Sequence, residues 1–204
     1  MSLAARLAAL GTATIGEVAS EARAIDLPLR ALAPAAMAGP AITVRCRPGD
    51  NLALHRAIAA ATAGDVLVVD YGGSVASGPF GEIMALACQL RGIAGMVIDG
   101  SVRDSTRIAA LGFPVFCRGL NIRGTTKQDR GDVGAPVTLG GMLVRQGDFV
   151  IADADAIIVL PAGQAEAAAT AGEARVARED AMMDRLRAGE TTLQILGLNE
   201  GDER

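Results

Sequence analysis

The chain has 204 residues, enough for one sizeable core without demanding a second domain, so a single domain over 1–204 is expected. Half of the residues are hydrophobic, yet there is no Trp, one Tyr and four Phe. The core must therefore come from Ala, Val, Leu, Ile and Met, and aromatic platforms for stacking bases are scarce. A formal net charge of −4 lacks the basic excess that phosphate-backbone binding requires, which argues against a nucleic-acid partner.

In chain order, "TATIGEVASEA" sets Thr14 three residues before Glu17, a capping pattern that predicts a short helix starting there. Prolines at 28, 34 and 40 make the next segment an irregular lead-in that closes on the alternating strand "AITVRC". "NLALHRAIAAATA" has helical apolar spacing and is stopped by Gly64-Asp65; "VLVVD" follows as an apolar strand. After the loop "YGGSVASGPFG", "EIMALACQLRG" reads as a helix closed by Gly92, and "AGMVID" as a strand ending at Asp99. "SVRDSTRIAALG" is a loop with a short helix, and "FPVFCRG" another strand. This alternation with short connections predicts an α/β fold with a parallel or mixed sheet covered on its faces. From Asn121 onward short strands between Gly and Asp turns suggest a β-rich second layer, with Asp153 and Asp155 in a turn rather than a metal pair. "AEAAATAGEARVAREDAMMDRLRAGE" predicts a helix with a solvated, charged face, and the last residues are expected to fray.

Cys46, Cys88 and Cys117 are odd in number and form no CxxC pair, as expected of reduced thiols in a cytoplasm. No early basic flank precedes an unbroken apolar run, and no stretch reaches 18 apolar residues. Neither a signal peptide nor a membrane span is expected, and a soluble, cytoplasmic protein is. His55 is the only histidine and Lys127 the only lysine. One chain therefore cannot build a multi-histidine zinc site, and any metal held mainly by carboxylates and water would be a hard ion such as Mg²⁺ or Mn²⁺. Schiff-base chemistry would fall to Lys127, whose polar surroundings in "RGTTKQDRGD" do not desolvate an amine. His55 on its helix suits a structural or exposed role better than a catalytic one.

Two segments can carry chemistry. The loop 71–81 holds four glycines and ends at a helix start, where free N–H groups near Glu82, Ile83 and Met84 would accept an anion. It lacks G-x-G-x-x-G spacing, and the glycines could equally serve a tight turn. Arg103-Asp104 stands where a strand ends and a helix begins, the usual place for ligands in α/β sheets. There Asp104 can bind a metal, or Asp104 or Ser105 can simply cap the helix. Asp99, at the strand end, is expected to hydrogen-bond to the following loop.

Glu82, twenty intervening residues and then Arg103-Asp104 resembles the acidic-x20-Arg-Asp motif of the RraA-like family. "TATIGEVA", "GDNLALHRAI", "GDVLVVDYGG", "GEIMALAC", "GMVIDGSVRDS", "GFPVFCRG" and "GDFVIADADAIIVLP" extend the likeness over most of the chain. The family includes divalent-metal-dependent 4-hydroxy-4-methyl-2-oxoglutarate/4-carboxy-4-hydroxy-2-oxoadipate aldolases and RraA regulators of ribonuclease activity. The resemblance implies a β/β/α swivelling-domain fold, a mixed sheet with flanking helices, assembled as a trimer or a pair of trimers. It further implies that Asp104 binds Mg²⁺ or Mn²⁺ and that Arg103 contacts a 2-oxo acid and stabilises its enolate. Amides around Gly81, Ile83 and Met84 would hold the pyruvyl carboxylate. Glu82 would orient the water that protonates the enolate, and Glu179 from a neighbouring subunit would approach the metal through water. Such an enzyme releases pyruvate from 4-hydroxy-2-oxo acids and, through the same enolate, decarboxylates oxaloacetate. The competing implication is a protein-binding ribonuclease regulator. An S-adenosylmethionine-dependent methyltransferase has the Gly-rich loop in its favour but no adenosine-recognition pattern.

Overall fold

The computed structural model describes residues 1–32 and 36–198; residues 33–35, with Pro34 of the lead-in, and the tail 199–204 lie outside them. Helix α1 (Leu3–Val18) begins at Ser2, whose hydroxyl accepts from the Ala5 N–H at 3.3 Å. Thr14 lies inside this helix, so the expected cap is corrected. The helix breaks at Gly11 (φ 76°), and the Asp153 carboxylate accepts from the Thr12 N–H and hydroxyl, each at 2.7 Å. The cap at the break thus comes from a distant turn, and Glu17 instead pairs with Arg175 at 2.7 Å. Asp153 also accepts from the Asp155 and Ala156 N–H groups, which makes 153–156 the expected turn.

The lead-in contributes β1 (Arg23–Ala24) and β2 (Arg30–Ala31) before β3 (Met37–Arg45). Polar Thr43 of β3 is as buried as its apolar neighbours, and its N–H donates to Gln146 Oε1 at 3.1 Å, so composition alternates here while burial does not. Next come α2 (Leu52–Ala60), β4 (Val66–Asp70), α3 (Glu82–Leu90), β5 (Gly95–Val102), α4 (Ser105–Leu111) and β6 (Val115–Leu120). The strands β7 (Asp132–Val133), β8 (Val137–Leu139), β9 (Met142–Val144), β10 (Phe149–Ala152) and β11 (Ile157–Leu160) precede α5 (Ala165–Arg187) and α6 (Thr192–Leu196).

One mixed sheet orders these strands β1-β11-β10-β3-β4-β5-β6-β2, with β7 also on β3. Strands β3 to β6 run parallel, and the flanking pairs are antiparallel. The β-rich second layer is therefore corrected in part: β10 and β11 extend the main sheet, and the hairpin of β8 and β9 stands apart. Alternation along the parallel strands sorts the core by face. Ile42, Leu67, Val69, Met96 and Ile98 pack with α2, α3 and α4, whereas Ala41, Val66, Val68 and Val97 pack toward the hairpin. Helix α1 lies against α5, where Arg6 is clasped by Glu166 and Glu173. Asp99 lies within β5, not at its end, and its carboxylate pairs with Arg118 of β6; its carbonyl accepts from the Gly73 N–H at 2.9 Å. All three cysteines are free and buried. No helix among the described residues is long and apolar enough to cross a membrane.

Candidate active site

Four parallel strands deliver four loops to one edge of the sheet. After β3 comes the start of α2 with Asn51 and His55; after β4, the segment 78–84; after β5, Arg103 and Asp104; after β6, the segment 124–127. Together these line a cavity of about 350 Å³. It lies at the carboxyl ends of the strands, where parallel sheets place ligands.

The loops are knitted backbone to backbone. Gly78 N–H donates to the Arg123 carbonyl at 2.9 Å and Arg103 N–H to the Phe80 carbonyl at 2.9 Å. Tyr71 Oη and Ser77 Oγ hydrogen-bond at 2.8 Å, and the Ser101 hydroxyl donates to the Ser77 carbonyl at 2.5 Å, which anchors the Gly-rich loop to β5. Two of that loop's glycines answer a steric demand. A Cβ on Gly78 would stand 2.2 Å from the Asn121 carbonyl oxygen, and one on Gly81 would stand 2.4 Å from Asp104 Oδ2. Arg103 thus presses against the loop at both Gly78 and Gly81, and Asp104 at Gly81, whereas Gly72 and Gly73 take positive φ.

Asp104 is the one non-glycine residue with positive φ among the described residues (φ 56°, ψ 34°). It occupies the N-cap position of α4, yet its side chain makes no capping bond there. The left-handed backbone instead turns its carboxylate toward α3, where Oδ2 accepts from the Glu82 N–H at 3.2 Å and lies 3.6 Å from Arg103 Nε. Local strain of this kind gathers at functional sites. Oδ1 makes no hydrogen bond among the described residues, and the carboxylate is 41% exposed.

Of the amides at the start of α3, Glu82 N–H serves Asp104 and Met84 N–H donates to the Gly81 carbonyl at 3.1 Å. Gly81 and Ile83 keep N–H groups without a partner among the described residues, at the positive end of the helix dipole. Gly81, Ile83, Met84, Arg103 and Asp104 all line the cavity. Glu82 does not line its own chain's cavity, and its N–H reaches the site through Asp104 Oδ2. Glu179 is on α5, paired with Arg175 at 2.7 Å, and does not line its own chain's cavity.

Asn51, His55 and Lys127 also line the cavity and were not singled out by the motif. The available signal was scarcity, since His55 and Lys127 are the sole members of their types. Partial burial, and then the nearby Lys127 charge, push His55 below its ordinary value, so it is neutral at pH 7. Lys127 is exposed, without the apolar burial that Schiff-base chemistry needs. The cysteines offer no nucleophile: burial pushes the Cys46 and Cys88 thiols up to about 12, and raises Cys117 too.

A family model described as RraA-like, Aldolase/RraA, matches residues 12–159. Over 128 residues the chain is 41% identical to a Halalkalibacterium halodurans protein provisionally named 4-hydroxy-4-methyl-2-oxoglutarate aldolase. That match covers 63% of this chain and 61% of the relative, less than two thirds of the relative's length. Among solved structures, an unusual member of the RNase ES inhibitor RraA protein family from Streptomyces coelicolor superposes with a TM-score of 0.75 at 29% identity, covering 91% of this chain and 97% of that one. The RNA-processing inhibitor RraA from Thermus thermophilis superposes with a TM-score of 0.70 at 27% identity, covering 74% and 92%.

Proposed function

This chain belongs to the RraA-like family, and on that premise we propose that it is a divalent-metal-dependent lyase of the aldolase branch. Its substrates would be 4-hydroxy-2-oxo acids of the 4-hydroxy-4-methyl-2-oxoglutarate or 4-carboxy-4-hydroxy-2-oxoadipate type, cleaved to pyruvate and a second 2-oxo acid. The observation that carries the reading is the Asp104 carboxylate, turned out of its own helix beside Arg103 at the N-terminus of α3.

The donor set fits a hard ion. Mg²⁺ keeps several waters and binds through one or two carboxylates, and Asp104 offers one with an uncommitted oxygen. Among the described residues no three His, Cys, Asp or Glu side chains gather as zinc would require. When bound, Mg²⁺ or Mn²⁺ supplies positive charge to the 2-oxo group of the substrate.

The chain's own residues do the rest. Free N–H groups of Gly81 and Ile83 would hold the pyruvyl carboxylate, with the Met84 side chain as a wall. Arg103 would bind the 2-oxo acid and stabilise the oxygen that gains charge as the carbon–carbon bond breaks. Glu82 would orient the water that protonates the pyruvate enolate. Loss of CO₂ from oxaloacetate gives the same enolate, so decarboxylation accompanies the cleavage.

We place the enzyme in the cytoplasm as a homotrimer or pair of trimers, with Glu179 of the partner subunit near the metal through water. Exposed apolar side chains support self-association: Ile83 on the cavity rim is 81% exposed, Leu90 79% and Ile122 91%. A second reading, a protein-binding regulator of ribonuclease activity, is favoured by the likeness to the two solved RraA proteins.

The deciding experiment follows pyruvate release from 4-hydroxy-4-methyl-2-oxoglutarate and from oxaloacetate, with Mg²⁺ and with EDTA. Metal-dependent turnover that Asp104→Ala abolishes is expected. Lack of metal-dependent turnover with both substrates, or full turnover by Asp104→Ala, overturns the enzyme reading; ribonuclease inhibition without turnover would favour the regulator.

A further inference from the structure

Tyr71 is the only tyrosine of the chain and is completely buried. It follows β4, and its ring presses on Gly100 of β5, where a Cβ would stand 2.8 Å from Tyr71 Cδ1. A buried phenol needs partners for its hydroxyl, and this one has two. The Gly49 N–H, in the turn before α2, donates to Tyr71 Oη at 2.7 Å, and Ser77 Oγ lies 2.8 Å away. An N–H can only donate, so Oη is the acceptor toward Gly49 and the phenolic hydrogen goes to Ser77 Oγ. One oxygen thus joins the loops that follow β3 and β4.

Ser77 is where the Gly-rich loop is rooted in the sheet. Its hydroxyl is held by Tyr71 at the end of β4, and its carbonyl accepts from the Ser101 hydroxyl of β5; both serines are buried. The rest of the segment is tied to neighbouring loops, through Gly78 to Arg123 and through Phe80 to Arg103. From Ser77 to Gly81 the chain is stiff. Pro79 fixes its own φ, and Phe80 is buried with its ring centroid 6.2 Å from that of Phe113. Such a segment passes a shift at Ser77 on to Gly81, whose free N–H stands with that of Ile83 at the start of α3.

We infer that the Tyr71 hydroxyl is a positioning group for carboxylate binding: through Ser77 it sets where the free amides of Gly81 and Ile83 stand. Tyr71 itself does not line the cavity and touches no substrate there. The inference rests on those amides being the seat of the pyruvyl carboxylate, and it deepens that reading by naming what holds them in place. The carboxylate is bound in the ground state and the transition state alike, so a misplaced amide pair weakens both and raises KM without lowering kcat. Arg103 and Asp104, where the charge develops, are carried by β5 and α4.

Two variants test it in the Mg²⁺-loaded protein. Tyr71→Phe keeps the ring against Gly100 and deletes only the oxygen, and Ser77→Ala removes the acceptor. In either variant the calorimetric Kd for oxalate, an unreactive mimic of the pyruvate enolate, should rise by about 10-fold, the worth of one hydrogen bond. The KM for pyruvate release from 4-hydroxy-4-methyl-2-oxoglutarate should rise equally, with kcat little changed. The double variant should be no worse than the single ones, since both break the same link. Mg²⁺ affinity measured without oxalate should match wild type, because Asp104 is untouched. A lower melting temperature with wild-type Kd and KM would make the hydroxyl merely structural and overturn the inference. So would a loss confined to kcat, weaker Mg²⁺ binding, or additive losses in the double variant. If wild type neither binds oxalate nor releases pyruvate, the proposed function falls and the positioning role with it; if wild type does both and the variants match it, only the positioning role falls.

Discussion

Gly81→Ala separates the needs of the site from those of the fold. Gly81 is extended (φ −145°, ψ −170°), a conformation alanine adopts freely, so the backbone resists little. The added Cβ would stand 2.4 Å from Asp104 Oδ2 and 3.1 Å from both Cγ and Nε of Arg103. Ordinary carbon contacts begin near 3.5 Å, so the carboxylate has to retreat by about 1 Å. It then loses its 3.2 Å bond from the Glu82 N–H. A half-exposed side chain can move, so the steric cost to stability is about 1–2 kcal/mol, partly offset by the smaller entropy of the unfolded alanine chain. The melting temperature should fall by about 2–4 °C or less. A catalytic group displaced by about 1 Å costs on the order of 100-fold in rate, and that is the expected loss in kcat/KM for pyruvate release. Wild-type kcat/KM in Gly81→Ala would refute the reasoning, because the close contact would then have no bearing on the reaction.

Asp104→Gly removes the strained left-handed side chain. The melting temperature should stay level or rise while metal-dependent turnover disappears; a fall of several degrees would assign Asp104 to the fold instead. Asp153→Ala removes the acceptor at the break of α1 and should cost about 2 kcal/mol near neutral pH, measured by urea unfolding. Burial pushes the Asp153 carboxyl up, but its bonds from Thr12, Asp155 and Ala156 outweigh that and hold it below its ordinary value of 3.8. A depressed carboxyl stabilises fully above its unfolded value and loses that contribution as pH falls through the folded one. The stability gap between wild type and Asp153→Ala should therefore be wide at pH 6 and narrow below about pH 3.8. Cys46 and Cys88, buried and pushed up to about 12, should resist iodoacetamide at pH 8 in the folded protein, as read by mass spectrometry.

The parallel core was legible because its strands and helices are separated by short turns and each carries its own period: "VLVVD", "EIMALACQLRG" and "FPVFCRG" fold where their patterns place them. Thr14 misled because the acceptor at the break of α1 is Asp153, which reaches it only through the tertiary fold. Asp99 misled because its partner Arg118 lies on the neighbouring strand, beyond any local pattern. Half of the candidate site was legible for the same reason that half was not. Arg103-Asp104 and the start of α3 follow adjacent strands and share one motif, whereas Asn51 and Lys127 follow β3 and β6 and meet them only once the strand order is known. Backbone strain at Asp104 leaves no trace in composition, since an Asp before Ser reads as an ordinary cap.

Exchange of the pyruvate methyl protons in deuterated water, followed by proton NMR, isolates enolisation at the Arg103-Asp104 pole from every question about the distal half of the substrate. Wild type with Mg²⁺ should wash the methyl signal out, and EDTA, Asp104→Ala or Arg103→Ala should each stop the loss. Exchange that persists in EDTA or in Asp104→Ala would contradict the assignment of this pole as a metal-assisted enolate site.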